Sequence, residues 1–136
     1  MYNNIKETAD FLSREIGAGI ETAIVLGSGL GRLAAEINVE REWQYKDIPN
    51  FPVSTVEGHA GKLIFGTLGQ KKILAMDGRF HYYEGYSMKE VTFPIRVFGA
   101  IGISTLLVSN AAGGTNASFR PGDLMVITDH INFMPE

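Results

Sequence analysis

Side chains that can bind an anion follow three short apolar segments of the chain. Ser28 follows the first segment, Arg79 and His81 follow the second, and Asn110 follows the third. Ligands of open α/β sheets bind beyond the carboxyl ends of the strands, so these loops are expected to share one site. Hydroxyl, guanidinium, imidazole and amide groups are hydrogen-bond donors that suit an oxyanion, and phosphate is the best candidate.

The first of these loops has the sequence GSGLG at residues 27–31. Glycines let backbone N–H groups approach an anion, and a following helix would direct its positive end toward the same place. The dinucleotide-binding fingerprint requires a glycine where Arg32 stands, and the Lys-Ser/Thr pair of a Walker A motif is missing. Taken alone, the loop fits either a phosphate cradle with Ser28 as a donor or a plain tight turn.

The second loop contains the most chemistry. Arg79 offers a permanently charged fork for phosphate, and His81 offers a donor whose protonation can be tuned. Glu84 is close enough in sequence to orient His81. The neighbouring aromatic rings either pack on the core, which we expect for Tyr82 and Tyr86, or stack on a flat ligand.

Two further histidines have weaker signals. His59 lies between glycines in the sequence EGHAG, which suits either an ordinary loop or a mobile lid that brings a donor to a ligand. His130 follows Asp129 near the end of the chain, and a structural and a functional role are equally consistent with that position. No histidine spacing matches a metal site, and the chain has no cysteine, so we expect no metal.

The elements that position these loops follow from apolar patterning and turn residues. A first helix capped by Asn3 or Asn4 should end at Gly17, and a short helix should cover residues 30–37. Ser87 and Glu90 form a capping-box pattern, which predicts a helix to about residue 99 or 102, kinked at Pro94. Strands are expected at residues 22–26, 62–68, 71–76, 103–109 and 124–128, with a hairpin turn at 69–70, an irregular connection over 40–61 and a turn at 120–123.

Alternating helices and non-alternating apolar strands predict an α/β fold, with a mixed, mostly parallel central sheet flanked by helices. No helix follows the expected strand at 124–128, although such a strand needs cover on both faces. Either this strand lies at an edge of the sheet, or its cover belongs to residues or subunits outside this chain. The fold is therefore expected to be incomplete.

Composition excludes several classes of protein. The chain has 136 residues, of which 45% are apolar and 20% charged, which suits one globular domain. Its net charge of −3 leaves no cationic surplus for coating nucleic acid or an anionic membrane. No signal peptide or transmembrane run is evident, so a cytoplasmic protein is expected.

Five motifs together resemble the trimeric class of purine nucleoside phosphorylases. They occur in the family's order over almost the whole chain: GSGLG (27–31), GHAG (58–61), GRFHYYEGY (78–86), TFPIR (92–96) and NAAGG (110–114). The resemblance implies that phosphate attacks the anomeric carbon of a purine (deoxy)ribonucleoside and releases the base and (deoxy)ribose 1-phosphate. It implies no cofactor, with inorganic phosphate as the co-substrate.

The resemblance also implies a role for each motif residue. Phosphate would be bound by Ser28, His59, Arg79, His81 and the backbone of Ala111. Tyr83 and Asn110 would lie on the nucleoside side. Glu84 would hold His81, and His81 and Glu84 would form the catalytic pair. The family is roughly twice as long and recognises the purine with residues from its second half. Residues 1–136 therefore resemble the N-terminal half of a single nucleoside phosphorylase domain, which would act as a homotrimer.

Other functions stay open. Methylthioadenosine phosphorylases share the fold, but their relatives usually carry a threonine in the first loop and a different Arg-His loop, so Ser28 and Arg79 favour the purine nucleoside enzymes. A non-catalytic phosphate-binding or oligomerisation fragment is a second alternative. A nicotinamide-binding domain is disfavoured by the missing fingerprint glycine.

Overall fold

A computed structural model describes residues 1–27, 29–53 and 61–134 of the chain. Its helices are α1 (Tyr2–Ile16), α2 (Gly31–Ala35), α3 (Met88–Val91) and α4 (Phe93–Ala100). Its strands are β1 (Thr22–Leu26), β2 (Asn38–Gln44), β3 (Lys62–Leu68), β4 (Lys71–Asp77) and β5 (Thr105–Val108). Short 3₁₀ turns cover Tyr45–Asp47 and Tyr82–Glu84. Within the described residues, no helix has the length and apolar character needed to cross a membrane.

The strands form one mixed sheet in the order β2-β3-β4-β1-β5. Strand β1 pairs in parallel with both β4 and β5, whereas β3 pairs antiparallel with β2 and β4. The expected mixed α/β fold and the hairpin between β3 and β4 are therefore confirmed, with parallel and antiparallel pairings in equal number. The parallel part of the sheet places the carboxyl ends of β4, β1 and β5 side by side.

Apolar side chains cover both faces of this sheet. On one face, α1 and α4 pack over a cluster that includes Leu12, Leu63, Leu74, Val97 and Phe98. On the opposite face, residues around α2 pack over a smaller cluster formed by alternate residues of the same strands. Burial on both faces explains why β1 reads as an unbroken apolar run rather than an alternating one.

The prediction of an irregular connection over residues 40–61 was wrong at its start, because β2 occupies residues up to Gln44. This strand lies at the edge of the sheet and is mostly exposed, so it lacks an apolar pattern. Surface ion pairs connect it to β3 and to the next strand, β4: Lys62 lies 3.3 Å from Glu42, and Lys72 lies 3.2 Å from Glu40. Charged residues on an exposed edge also discourage pairing with another chain.

Local chemistry accounts for several of the helix boundaries. Helix α1 ends at Gly17, whose φ is 74°, as expected, but it begins at Tyr2, so the predicted cap by Asn3 or Asn4 was wrong. The Ser87–Glu90 capping box is present at the start of α3. The expected single helix kinked at Pro94 is instead two helices, and Pro94 lies in the first turn of α4, where its missing N–H costs nothing.

The end of the chain differs most from expectation. Strand β5 is shorter than the predicted 103–109 and is exposed, with Val108 at 61% exposure, because only β1 pairs with it among the described strands. Residues 124–128 form no strand, and Leu124 is 99% exposed, so that prediction was wrong. The turn at 120–123 is confirmed by a 3.1 Å hydrogen bond from the Asp123 N–H to the Arg120 carbonyl.

Candidate functional site

The site is built on the edge where β4, β1 and β5 end. The three strands are adjacent and parallel, so the residues that follow them, Gly27, Gly78 and Ser109, lie along one edge of the sheet. This arrangement brings together the loops that the sequence analysis singled out. It is also the edge at which open α/β sheets bind their ligands.

The Arg79 side chain joins these three strand ends. Its Nη1 donates a 2.9 Å hydrogen bond to the Ser109 carbonyl, which follows β5. Its Nη2 lies only 2.5 Å from the position that a Cβ would occupy at Gly27, which follows β1. The guanidinium passes over the α-carbon of Gly27, so a Cβ at this position would displace it. Among the described residues, only one of the five N–H donors of Arg79 has a hydrogen-bond acceptor, which leaves the rest of the fork for a ligand.

His81 and Glu84 contact each other further along the same loop. The His81 Nδ1 contacts Glu84 Oε1, and the two side chains are 22% and 11% exposed. The 3₁₀ turn over Tyr82–Glu84 brings them together, and it ends at Gly85, whose φ of 95° lies in the left-handed region. With Nδ1–H donated to the carboxylate, Nε2 is the ring atom that can meet a ligand, and no side chain in the described part of the chain forms a hydrogen bond with it.

The other Glu84 oxygen, Oε2, is buried and has no hydrogen-bond partner within residues 1–27, 29–53 and 61–134. A buried oxygen without a hydrogen-bond partner is costly to hold, and a catalytic role is one of the reasons such a group persists in a folded protein. The unused oxygen of Glu84 therefore makes the His81–Glu84 pair a candidate for a catalytic role.

The aromatic residues of this loop divide into two groups. Phe80 is buried and packs against Tyr86, with ring centroids 5.4 Å apart, so the expected core role of Tyr86 is confirmed. Tyr82 is 44% exposed, so its expected core role was wrong. Tyr83 is 81% exposed and stacks on His81, with centroids 4.7 Å apart and planes at 22°. Its open ring face is the one suited to a ligand.

The remaining candidates fall into three groups. Asn110 is exposed after β5 and donates a 3.1 Å hydrogen bond to the carbonyl of Ala111, so both lie at the same edge as Arg79. His130 lies in an exposed stretch where its backbone N–H bonds to Asp129, without a contact to Arg79 or His81 among the described residues. Ser28 and His59 lie outside the described residues.

Sequence reasoning missed Tyr45, which lies beneath the Arg79 loop. Tyr45 is 2% exposed and donates a 2.6 Å hydrogen bond through its hydroxyl to the carbonyl of Gly78. Burial, and then the negative charge of Asp77, raise the pKa of the Tyr45 hydroxyl far above its ordinary value. No motif marks this residue, since its contact spans 33 positions of the chain.

Comparisons with known proteins show which family the chain is similar to. The family model described as "Phosphorylase superfamily" matches residues 21–134. The chain is 56% identical to purine nucleoside phosphorylase 1 of Bacillus subtilis, over 98% of this chain and 49% of the relative. It is 50% identical to the purine nucleoside phosphorylase of Rattus norvegicus, over 96% of this chain and 45% of the relative.

Among solved structures, the chain resembles isoform 2 of purine nucleoside phosphorylase from Schistosoma mansoni, solved in complex with cytosine and ribose-1-phosphate. The TM-score is 0.82 at 45% sequence identity, over 90% of this chain and 43% of that one. The chain thus spans about half the length of the relatives it matches.

Proposed function

The chain belongs to the phosphorylase superfamily, and we propose that it carries the phosphate and sugar side of a purine nucleoside phosphorylase. In this reaction inorganic phosphate attacks the anomeric carbon of a purine (deoxy)ribonucleoside, and the carbon–nitrogen bond to the base breaks. The products are the free base and (deoxy)ribose 1-phosphate. The observation that carries the proposal is the Arg79 fork held at the junction of three strand ends.

Phosphate is already a nucleophile, so the enzyme has to fix its position against the sugar rather than activate it. The guanidinium of Arg79 can hold two phosphate oxygens at once, and the backbone of Ala111 lies after the adjacent strand. Ser28 and His59 are assigned to the same phosphate by resemblance alone. No metal or organic cofactor is needed in this scheme, and their absence stays a prediction.

His81 would contact phosphate through Nε2 while Glu84 holds its Nδ1. A neutral ring accepts a hydrogen bond from a P–OH group at Nε2, and a ring that carries both protons donates one. In either state the carboxylate fixes the ring orientation, which is why we assign His81 and Glu84 as the catalytic pair.

The sugar would lie on the solvent side of this phosphate. Tyr83 presents an open ring there, stacked on His81, and we assign Tyr83 and Asn110 to the nucleoside side. As the bond to the base breaks, the sugar gains positive charge, and the bound phosphate dianion stabilises that charge. Trimeric assembly and a cytoplasmic location follow from the resemblance and from the sequence, and both stay predictions.

Because the chain spans about half of its relatives, the purine leaving group would be held by residues outside it. A transition state that is bound at only one end is poorly stabilised. We therefore expect little turnover from the 136-residue chain alone.

The test uses inosine and inorganic phosphate with three samples: the chain alone, the chain mixed with the separately made second half of the Bacillus subtilis relative, and the same mixture with Arg79→Gln. We expect turnover only in the unsubstituted mixture, and only when phosphate is present. Full activity from the chain alone would contradict the half-site, and turnover that survives Arg79→Gln would contradict the phosphate assignment. Faster turnover of methylthioadenosine than of inosine in the mixture would favour the alternative enzyme.

A further inference from the structure

Tyr45 is buried directly beneath the loop that carries Arg79. It is the first residue after β2, and its ring is packed between Phe51 and Phe80, with centroid distances of 5.4 Å and 5.2 Å. Its hydroxyl donates a 2.6 Å hydrogen bond to the Gly78 carbonyl. One side chain therefore contacts the residues on both sides of Arg79, one by a hydrogen bond and the other by ring packing.

The backbone at Gly78 needs such a restraint. Its φ of 107° is a conformation that side chains disfavour, and a Cβ there would lie 3.3 Å from the backbone nitrogen of Gly61. A glycine has no side chain to hold it, so its peptide groups are free to rotate unless a neighbour fixes them. The hydroxyl of Tyr45 fixes the peptide group that leads into Arg79.

We propose that Tyr45 is a positioning residue that aligns the Arg79 guanidinium for phosphate. The inference rests on the proposed function in one respect, namely that the ligand of Arg79 is phosphate. Tyr45 itself does not touch the ligand, because it is 2% exposed. It acts through Gly78 and Phe80, which set where the arginine leaves the backbone.

The same residue also connects to the next loop. The backbone N–H of Tyr45 donates a 2.8 Å hydrogen bond to the carbonyl of Gly61, which comes two positions after His59 in the sequence. Burial keeps the Tyr45 hydroxyl protonated, since it raises the pKa far above the neutral range. The hydroxyl is therefore a hydrogen-bond donor at neutral pH.

The test compares Tyr45→Phe with Thr8→Val, a matched control. Tyr45→Phe keeps the ring and removes only the hydroxyl. Thr8→Val also removes a buried hydroxyl, one that lies 2.8 Å and 2.7 Å from the backbone carbonyls of Asn4 and Pro49, neither of which belongs to the Arg79 loop. Both variants lose a bond of the same kind, so a general loss of stability should affect them alike.

Two quantities are measured on the 136-residue chain. Calorimetric titration with inorganic phosphate gives the dissociation constant, and the NMR signal of the Arg79 Nε–H group, assigned with Arg79→Lys, reports the guanidinium environment. We expect Tyr45→Phe to weaken phosphate binding by about threefold to tenfold, the effect of one hydrogen bond. It should also shift the Arg79 signal, while Thr8→Val changes neither.

Unchanged phosphate affinity and an unchanged Arg79 signal in Tyr45→Phe would overturn the inference, as would equal changes in the two variants. If the unsubstituted chain binds no phosphate, the proposed function fails. The NMR signal still decides the positioning role in that case: a shift confined to Tyr45→Phe supports it, and no shift overturns it.

Discussion

Gly27→Ala should weaken anion binding with little effect on the fold. The backbone at Gly27 is not in the left-handed region, so alanine can adopt its conformation. The added methyl group, however, would lie 2.5 Å from Nη2 and 3.1 Å from Cζ of Arg79. These two atoms belong to the end of a flexible side chain, so the guanidinium should move. The Ser109 carbonyl oxygen, 3.3 Å from the added carbon, has to give by only a few tenths of an ångström, so the backbone should largely stay.

The size of the effect follows from these distances. An ordinary carbon–nitrogen contact is about 3.5 Å, so the guanidinium has to move by about 1 Å. Losing its hydrogen bond to Ser109 costs about 0.5–1.5 kcal/mol, and the reduced freedom of the unfolded chain returns about 0.4–1 kcal/mol. The free energy of unfolding should therefore change by less than about 1 kcal/mol. A displacement of this size costs up to about 100-fold where alignment matters, and we expect phosphate binding to weaken by about 10- to 100-fold.

Urea unfolding and calorimetric titration with inorganic phosphate, carried out on the same preparations, measure the two effects separately. Gly99→Ala is the control, because a Cβ at this position in α4 meets no atom within 4 Å. It should raise the free energy of unfolding by about 0.5–1 kcal/mol and leave phosphate affinity unchanged. Unchanged phosphate affinity in Gly27→Ala would refute the reasoning, because the guanidinium would then not be part of the site.

Two further substitutions test the frame that holds the site. Gly66→Ala places a Cβ against the backbone carbonyl of Asn38 in the neighbouring strand, and a backbone atom cannot move aside as a side chain can. The free energy of unfolding measured in urea should therefore fall by about 1–3 kcal/mol. An unchanged value would mean that β2 is not paired as described. The Ser87 hydroxyl, and to a smaller extent the Ser87 backbone N–H, donate hydrogen bonds that hold the pKa of the Glu90 carboxyl below its ordinary value. Ser87→Ala removes the hydroxyl, so the pKa of Glu90, followed by NMR, should rise. Because the pKa is lowered in the folded state, this contribution to stability is present above the ordinary pKa of a glutamate and is lost as the pH falls through the lowered value; a Glu90 pKa that does not rise in Ser87→Ala would contradict the capping box.

The features that sequence predicted well depend on neighbours in the chain. The capping box at Ser87 and the glycine at the end of α1 involve residues within one helical turn, so a short stretch of sequence is enough to predict them. The apolar runs of β1, β3 and β4 reflect burial on both faces, which needs no knowledge of the pairing. The meeting of the three loops followed from the rule that parallel strands end at one edge.

The features that sequence missed depend on distant partners. Strand β2 is formed by pairing with β3 and by surface charges, so its own residues lack the apolar signal of a strand. Residues 124–128 have that signal, yet no described strand pairs with them. The hydrogen bond of Tyr45 to Gly78 and the approach of Arg79 to Gly27 both depend on strand order, which the local sequence does not encode.

The central claim is that Arg79 binds phosphate at the common end of β4, β1 and β5. Calorimetric titration of the 136-residue chain with inorganic phosphate at constant ionic strength, repeated with Arg79→Gln, tests it most directly. We predict saturable binding of phosphate by the unsubstituted chain and at least tenfold weaker binding by Arg79→Gln, with the free energy of unfolding changed by less than about 1 kcal/mol. Equal phosphate affinity in the two proteins would contradict the claim.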